Sequence, residues 1–179
     1  MRTQRYLVAT LTVTFALSAF PARALTQTAV KSALTVQPMT PAEELEQQAA
    51  VLHDEIARYA EAARLYREAA SRRSSTDPRA VESLSTAAHL FHYANRLFDA
   101  RKTMEQAAQR ALARGDVIRA SIAYLEAALF AYKQGNLAES GRLGRNALKL
   151  TSSPLLTEEQ RGSILSRLRA QAAVAALVK

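Results

Sequence analysis

The chain has 179 residues, a formal net charge of +8 and no cysteine. The missing thiol excludes disulfides, thiolate catalysis, thiolate metal sites and lipid attachment through cysteine, so stability must come from packing alone. The five glycines are too scattered for a phosphate-cradling loop, and no Gly-x-Ser-x-Gly nucleophile turn is present.

Arg2 and Arg5 precede an uncharged run from Tyr6 to Phe20, and Pro21-Ala22-Arg23-Ala24 puts small residues where a signal peptidase reads. This order predicts a secretory signal over residues 1–24, cleaved between Ala24 and Leu25, and a periplasmic or secreted protein of bacterial type. The alternative is a membrane anchor, but that needs about 20 apolar residues, and this run is shorter and meets Pro21. Cleavage would remove three arginines and no acid, leaving 21 basic and 16 acidic side chains, or +5. Such an excess steers anionic partners, an anionic surface included. Nucleic acid is not expected of an exported chain.

Residues 25–40 carry Thr, Gln, Ser and Pro without a period and read as a flexible linker. From Pro41 alanine, leucine, glutamate and arginine dominate, with no alternating β-branched run and no Asn-Gly hairpin turn. The domain is expected to be all α. Thr40-Pro41-Ala42-Glu43 opens the first helix as a capping box with proline at its first position. This helix heads towards Arg73, and the sequence leaves open whether Ala42–Arg73 is one helix or a hairpin broken near Arg58. Pro78 ends it, and a second helix spans roughly Arg79 to Ala94. The third runs from about Leu97 to Arg114, stopped by Gly115-Asp116, and the fourth from Val117 to Gln134, stopped by Gly135-Asn136. The fifth covers Leu137 to Leu150, and the last starts at a second capping box, Thr157 with Gln160, and continues to the C-terminus. Short connections predict antiparallel neighbours. Val117–Tyr132 is apolar almost all round and should be buried on more than one side.

A repeat runs through this helical stretch. YAEAARLYREA from Tyr59, LFDARKTMEQA from Leu97 and LAESGRLGRNA from Leu137 align, with starts 38 and 40 residues apart. Each begins on a large apolar residue, has an acid two places on (Glu61, Asp99, Glu139), then a small residue (Ala62, Ala100, Ser140), and closes on alanine (Ala69, Ala107, Ala147). Small residues at these places allow close helix crossings. The pattern resembles the second helix of a tetratricopeptide repeat, most fully over Tyr132–Glu139 with Ala147, Leu148 and Pro154. Tyr124, Ala127 and Ala128 stand where that family places first-helix aromatic and small residues, and Leu84, Ala87, Ala88, Leu97, Ala100 and Ala107 repeat the match. The first unit matches only from Tyr59 to Ala70, the period exceeds the family's usual 34 residues, and Gly144 stands where an aromatic belongs.

The resemblance implies antiparallel helical hairpins stacked as a short right-handed solenoid, three of them over residues 41–154, with a C-terminal capping helix over 155–179. It implies a concave face lined by the first helix of each unit. There the second helix would offer Ser85, His89, His92 and Tyr93, and the fourth Ile122, Leu125, Leu129, Tyr132 and Lys133. His89, His92, Tyr93, Tyr132 and Lys133 are the candidate partner-binding residues, suited to an extended peptide with an acidic group or exposed carbonyls. Tyr93 and Tyr132 equally suit a space-filling role at the helix turns.

Reactive groups are sparse. His89 and His92 share a helical face, and His53, Asp54 or Glu55 could add a third metal ligand, but the Glu-x-x-His spacing of di-metal bundles is missing. Glu43, Glu44, Glu46, Glu158 and Glu159 lie in first turns and Arg72-Arg73 in a last turn, where the helix dipole accounts for them. The expected function is therefore a non-enzymatic scaffold without cofactor that binds a protein or peptide, with self-association as a further outcome. The alternative is a small-molecule- or metal-binding helical bundle near His53, His89 and His92. The last helix has a second reading too, as a cationic amphipathic segment on a membrane.

Overall fold

The computed structural model describes residues 38–178; the expected signal and most of the linker fall outside them. Among the described residues the chain is all α, with eight helices and no strand: α1 Pro41–His53, α2 Tyr59–Arg72, α3 Pro78–Tyr93, α4 Leu97–Ala113, α5 Val117–Lys133, α6 Leu137–Leu150, α7 Glu158–Ala170 and α8 Ala172–Leu177. From α1 to α6 each helix packs on the next, as a helical repeat array does. No described helix is long and apolar enough to cross a membrane.

The open question over Ala42–Arg73 resolves as a hairpin. Asp54 ends α1, Glu55 is extended, and a 3-10 turn over Ile56–Arg58 leads into α2. No glycine or proline marks this break. Both capping boxes form, at Thr40 with Glu43 and at Thr157 with Gln160, while Asp77, Asp116 and Asn136 cap α3, α5 and α6.

The turns α3–α4, α4–α5 and α5–α6 are one motif used three times. Asn95, Gly115 and Gly135 take positive φ at 57°, 74° and 78°. Arg96 N–H bonds Phe91 O, Asp116 N–H bonds Ala111 O and Asn136 N–H bonds Ala131 O, which closes three Schellman caps. A left-handed residue costs a side chain about 1 kcal/mol, least for asparagine. Asn95→Gly is therefore expected to hold or raise stability by a few tenths of a kcal/mol, and Asn95→Ala to lower it by about 1 kcal/mol, both read from urea midpoints.

The repeat's small positions do what their size allows. Ala62, Ala100, Ser140, Ala69, Ala107 and Ala147 are all fully buried. Ser140 adds a hydrogen bond from Oγ to Ala128 O on α5 at 2.9 Å, so its hydroxyl is satisfied where it crosses. Phe91, Leu90, Met104, Leu125 and Leu143 fill the space between crossings. Helix α5 packs on both α4 and α6, as its apolar circumference requires.

The C-terminal segment departs from the single capping helix expected of it. The backbone breaks at Gln171 (φ −93°, ψ 62°), and two pieces bury different residues: Ile164 and Leu168 from α7, Val174 from α8. Helix α7 packs on α5, and α8 packs on α6 and α5. The missing aromatic at Gly144 is explained here. A methyl on Gly144 would lie 2.5 Å from Val178 Cγ1 and 3.1 Å from Val174 Cγ1, so α8 occupies the place an aromatic ring would fill.

Candidate functional site

Helices α3 and α5 are joined by three polar contacts in succession. Arg119 meets Glu82 at 3.1 Å, His89 meets Glu126 at 3.4 Å, and Lys133 Nζ lies 2.8 Å from His92 Nε2. Residue numbers rise together along both helices, so the two run parallel, with α4 returning between them in sequence. The same arrangement joins α1 to α3 through Glu43 and Arg79 at 2.8 Å and through Glu46 and Ser83. First helices thus form one surface, bonded from unit to unit at nearly the repeat's period.

A groove of about 390 Å³ lies on this surface between α3 and α5, lined by Glu82, Ser85, His89, Arg119, Ile122 and Glu126 among others. Its lining is a balance of two carboxylates, a guanidinium and an imidazole over apolar walls. Three residues that the sequence assigned to a concave face (Ser85, His89 and Ile122) line it together. Leu125 does not, contrary to expectation: it is 1 % exposed, and Arg167, Ala170 and Gln171 lie beside Ile122, Leu125 and Glu126. Leu129 is half-buried against the core.

Phe130 sits between the two histidines of α3. Its ring is edge-on to His89 at 6.1 Å and stacked on His92 at 5.1 Å. The shared face of His89 and His92 is thus real, but what it meets is a phenyl ring. Among the described residues no three His, Asp or Glu side chains come together as a metal site would need. His53 instead lies edge-on to Tyr59 and Tyr66, at 6.2 and 6.4 Å.

These rings form a continuous row: Tyr66, His53, Tyr59, Tyr93, His92, Phe130 and His89, with neighbouring centroids 5.1 to 6.4 Å apart. It follows the C-terminal parts of α1, α3 and α5 and reaches from the start of α2 at Tyr59 to its middle at Tyr66. Tyr93 is 64 % exposed and Tyr132 40 % exposed, so both tyrosines offer most or much of their rings to solvent. Sequence reasoning reached His89, His92 and Tyr93 but left Tyr59, Tyr66 and Phe130 outside the site. Their aromatic type was visible in the sequence; their mutual distance was not. Such a row suits apolar or aromatic side chains and main-chain groups.

His92 has a defined protonation state. An ammonium has no lone pair to accept with, so Lys133 donates and His92 Nε2 accepts, which makes the ring neutral. Burial, then the charges of Lys133 and His89, hold its pKa below the ordinary 6.5. The unfolded chain takes up this proton first, so the related stability is present above about pH 6.5 and declines as pH falls below it. Imidazole NMR titration should find His92 below 6.5. Lys133→Gln should raise that value without restoring it, because burial is the larger cause. A His92 that titrates at or above 6.5 contradicts this geometry.

No family model matches the chain, and neither a curated protein nor a solved structure matches it.

Proposed function

We propose that this chain is an exported, non-enzymatic adaptor of the tetratricopeptide kind that holds a peptide or protein segment against its first helices. In this reading three hairpins span residues 41–154, the segment 155–179 caps the stack, and residues 1–24 are removed on export. The carrying observation is the α3–α5 groove with the ring row beside it, which brings His89, His92, Tyr93 and Lys133 to one surface. Support for the tetratricopeptide reading comes from the three Schellman turns, the buried small residues at the repeat period and the bonding of first helix to first helix. The groove's mixed charge suits a segment with both a carboxylate and a cation, and the exposed ring of Tyr93 in the adjoining row suits an apolar or aromatic anchor. An anionic surface and a second copy of the chain are further partners that the charge and the exposed rings permit.

The test is capture from envelope extract with bait starting at Leu25. Tyr93→Ala with Tyr132→Ala is the preferred variant, since both rings are exposed while His92 supports Phe130. Aromatic anchors at interfaces commonly contribute 2 kcal/mol or more, so the double variant should bind about 30-fold more weakly. Arg169→Gln, outside the groove, should capture the partner unchanged. Equal capture by the tyrosine variant would remove both rings from the binding surface, and capture of nothing by the unaltered bait would count against an adaptor.

A further inference from the structure

On the side formed by second helices, α2 and α4 diverge over a cleft of about 670 Å³ that shares no residue with the α3–α5 groove. Its lining includes Arg64, Arg67 and Arg110, with Ser71, Gln106 and Gln109 as neutral hydrogen-bonding groups. The one acid there, Glu68, is held by Arg72 at 2.7 Å. Every other acid of α2 and α4 is also committed elsewhere: Glu61 to Arg58, Asp99 to Arg96, and Glu105 to Arg142 and Arg101. Among the described residues Arg64, Arg67 and Arg110 reach no carboxylate.

The neighbouring pair of second helices supplies an internal comparison. Between α4 and α6, Glu105 meets Arg142 at 2.6 Å and Arg101 meets Glu139 at 2.7 Å, so the seam is closed by ion pairs. With Tyr59, Leu97 and Leu137 in step, the residue of α2 that corresponds to Glu105 is Arg67, and the residue of α4 that corresponds to Arg142 is Lys102. At that pair of positions the α2–α4 side has two cations where the α4–α6 side has an ion pair, and at the second pair it has Ala63 and Asp99, so neither bridge is repeated. A cluster of cations without carboxylate partners raises the local attraction for an anion. Two of the guanidiniums are already oriented, Arg67 over the Phe91 ring at 5.3 Å and Arg110 within 3.5 Å of the Arg73 and Ser74 carbonyls.

We propose that this cleft binds a phosphate-bearing anion, with Arg64, Arg67 and Arg110 as its charged ligands and Ser71, Gln106 and Gln109 completing its hydrogen bonds. Three guanidinium forks exceed what one carboxylate can accept and match the several oxygens and higher charge of a phosphate. The volume is that of a small-molecule site. Phosphate chemistry can come from a soluble phosphorylated molecule or from a lipid headgroup, and the assay separates them.

Protein recovered from the envelope is titrated with inorganic pyrophosphate at constant ionic strength, and separately sedimented with vesicles of phosphatidylglycerol and phosphatidylcholine. Arg64→Gln and the double variant Arg67→Gln, Arg110→Gln should each weaken binding about tenfold or more, and Arg169→Gln, exposed on α7 and in neither site, should not. Arg64 is exposed and makes no hydrogen bond among the described residues, so its variant keeps the fold. Pyrophosphate binding lost in these variants without sedimentation assigns the site to soluble phosphates; sedimentation lost in the same variants assigns it to headgroups. Binding of neither probe, or an equal loss in Arg169→Gln, overturns the site.

Discussion

Gly144→Phe, which puts a ring where the tetratricopeptide pattern carries an aromatic, is expected to release α8 and lower stability by about 3 kcal/mol. The space is already taken. Val178 and Val174 would stand 2.5 and 3.1 Å from a first carbon on residue 144, and Val174 is fully buried there. A ring cannot share that volume, so α8 must leave or α6 must shift. Burial of one full valine and two partly buried side chains, Leu177 and Val178, contributes about 3 kcal/mol, and undocking limits the loss to that amount. Gly144→Ala separates the two opposing effects. Alanine favours the helix by about 1 kcal/mol, while overpacking costs about 1–3 kcal/mol, so the intact chain should lose stability. In a chain ending at Ala170 the clash is gone and the same change should gain about 1 kcal/mol. Urea unfolding of the four proteins reads both signs. An alanine variant that stabilises the intact chain would mean that α8 does not rest on Gly144.

Arg73→Ala should cost about 3 kcal/mol, at the low end of the range for breaking a buried ion pair. Arg73 is a C-cap residue with a side chain only 3 % exposed. Its fork grips both oxygens of Glu46 on α1, its third nitrogen reaches Asp77 at 3.1 Å, and Glu46 also accepts from Ser83 on α3. One guanidinium thereby ties α1 to the α2–α3 connection, while the carboxylate it holds is tied in turn to α3. Removing it leaves Glu46 and Asp77 facing each other, but both keep some contact with water, which is why the low end applies. Arg73→Lys keeps the charge and loses the fork, so about 1–2 kcal/mol is expected. The pH dependence follows. Burial opposes ionisation of Asp77, but the Arg79 backbone N–H and the Arg73 guanidinium outweigh it and hold its pKa below the ordinary carboxylate value. Its contribution is present above pH 3.8 and is lost as pH falls through the folded-state value. Acid unfolding of Arg73→Ala should be less steep than that of the parent, and an identical profile would remove Arg73 from this role.

Arg72 and Arg73 show what a sequence can and cannot convey. Adjacent in sequence, both looked like last-turn cations. Arg72 behaves so, pairing with Glu68 one turn back. Arg73 turns inward to Glu46, 27 residues away, and no local pattern signals that. The same holds for Glu46, which sits close to the first turn of α1 yet belongs to this network and not to the cap that Glu43 completes. In the candidate site the α3–α5 groove was legible in part, because helical period alone sets which residues of α3 share a face. Which residue of α5 enters between His89 and His92, and that Leu125 is covered, depended on how the helices are offset.

By itself the sequence determined the helical class, the capped starts of α1, α5, α6 and α7 and the two glycine turns, since capping side chains, proline and left-handed glycine act within a few residues of where they stand. It also determined which residues must be small, because the helix period repeats them on one face and their crossings leave no room. Only the tertiary structure decided the break after His53, the break at Gln171, the docking of α8 on Gly144 and the unpaired arginines of the α2–α4 cleft. Each of these depends on a surface made by residues tens of positions apart, and local backbone preference is too weak to choose a bend or a partner until that surface exists.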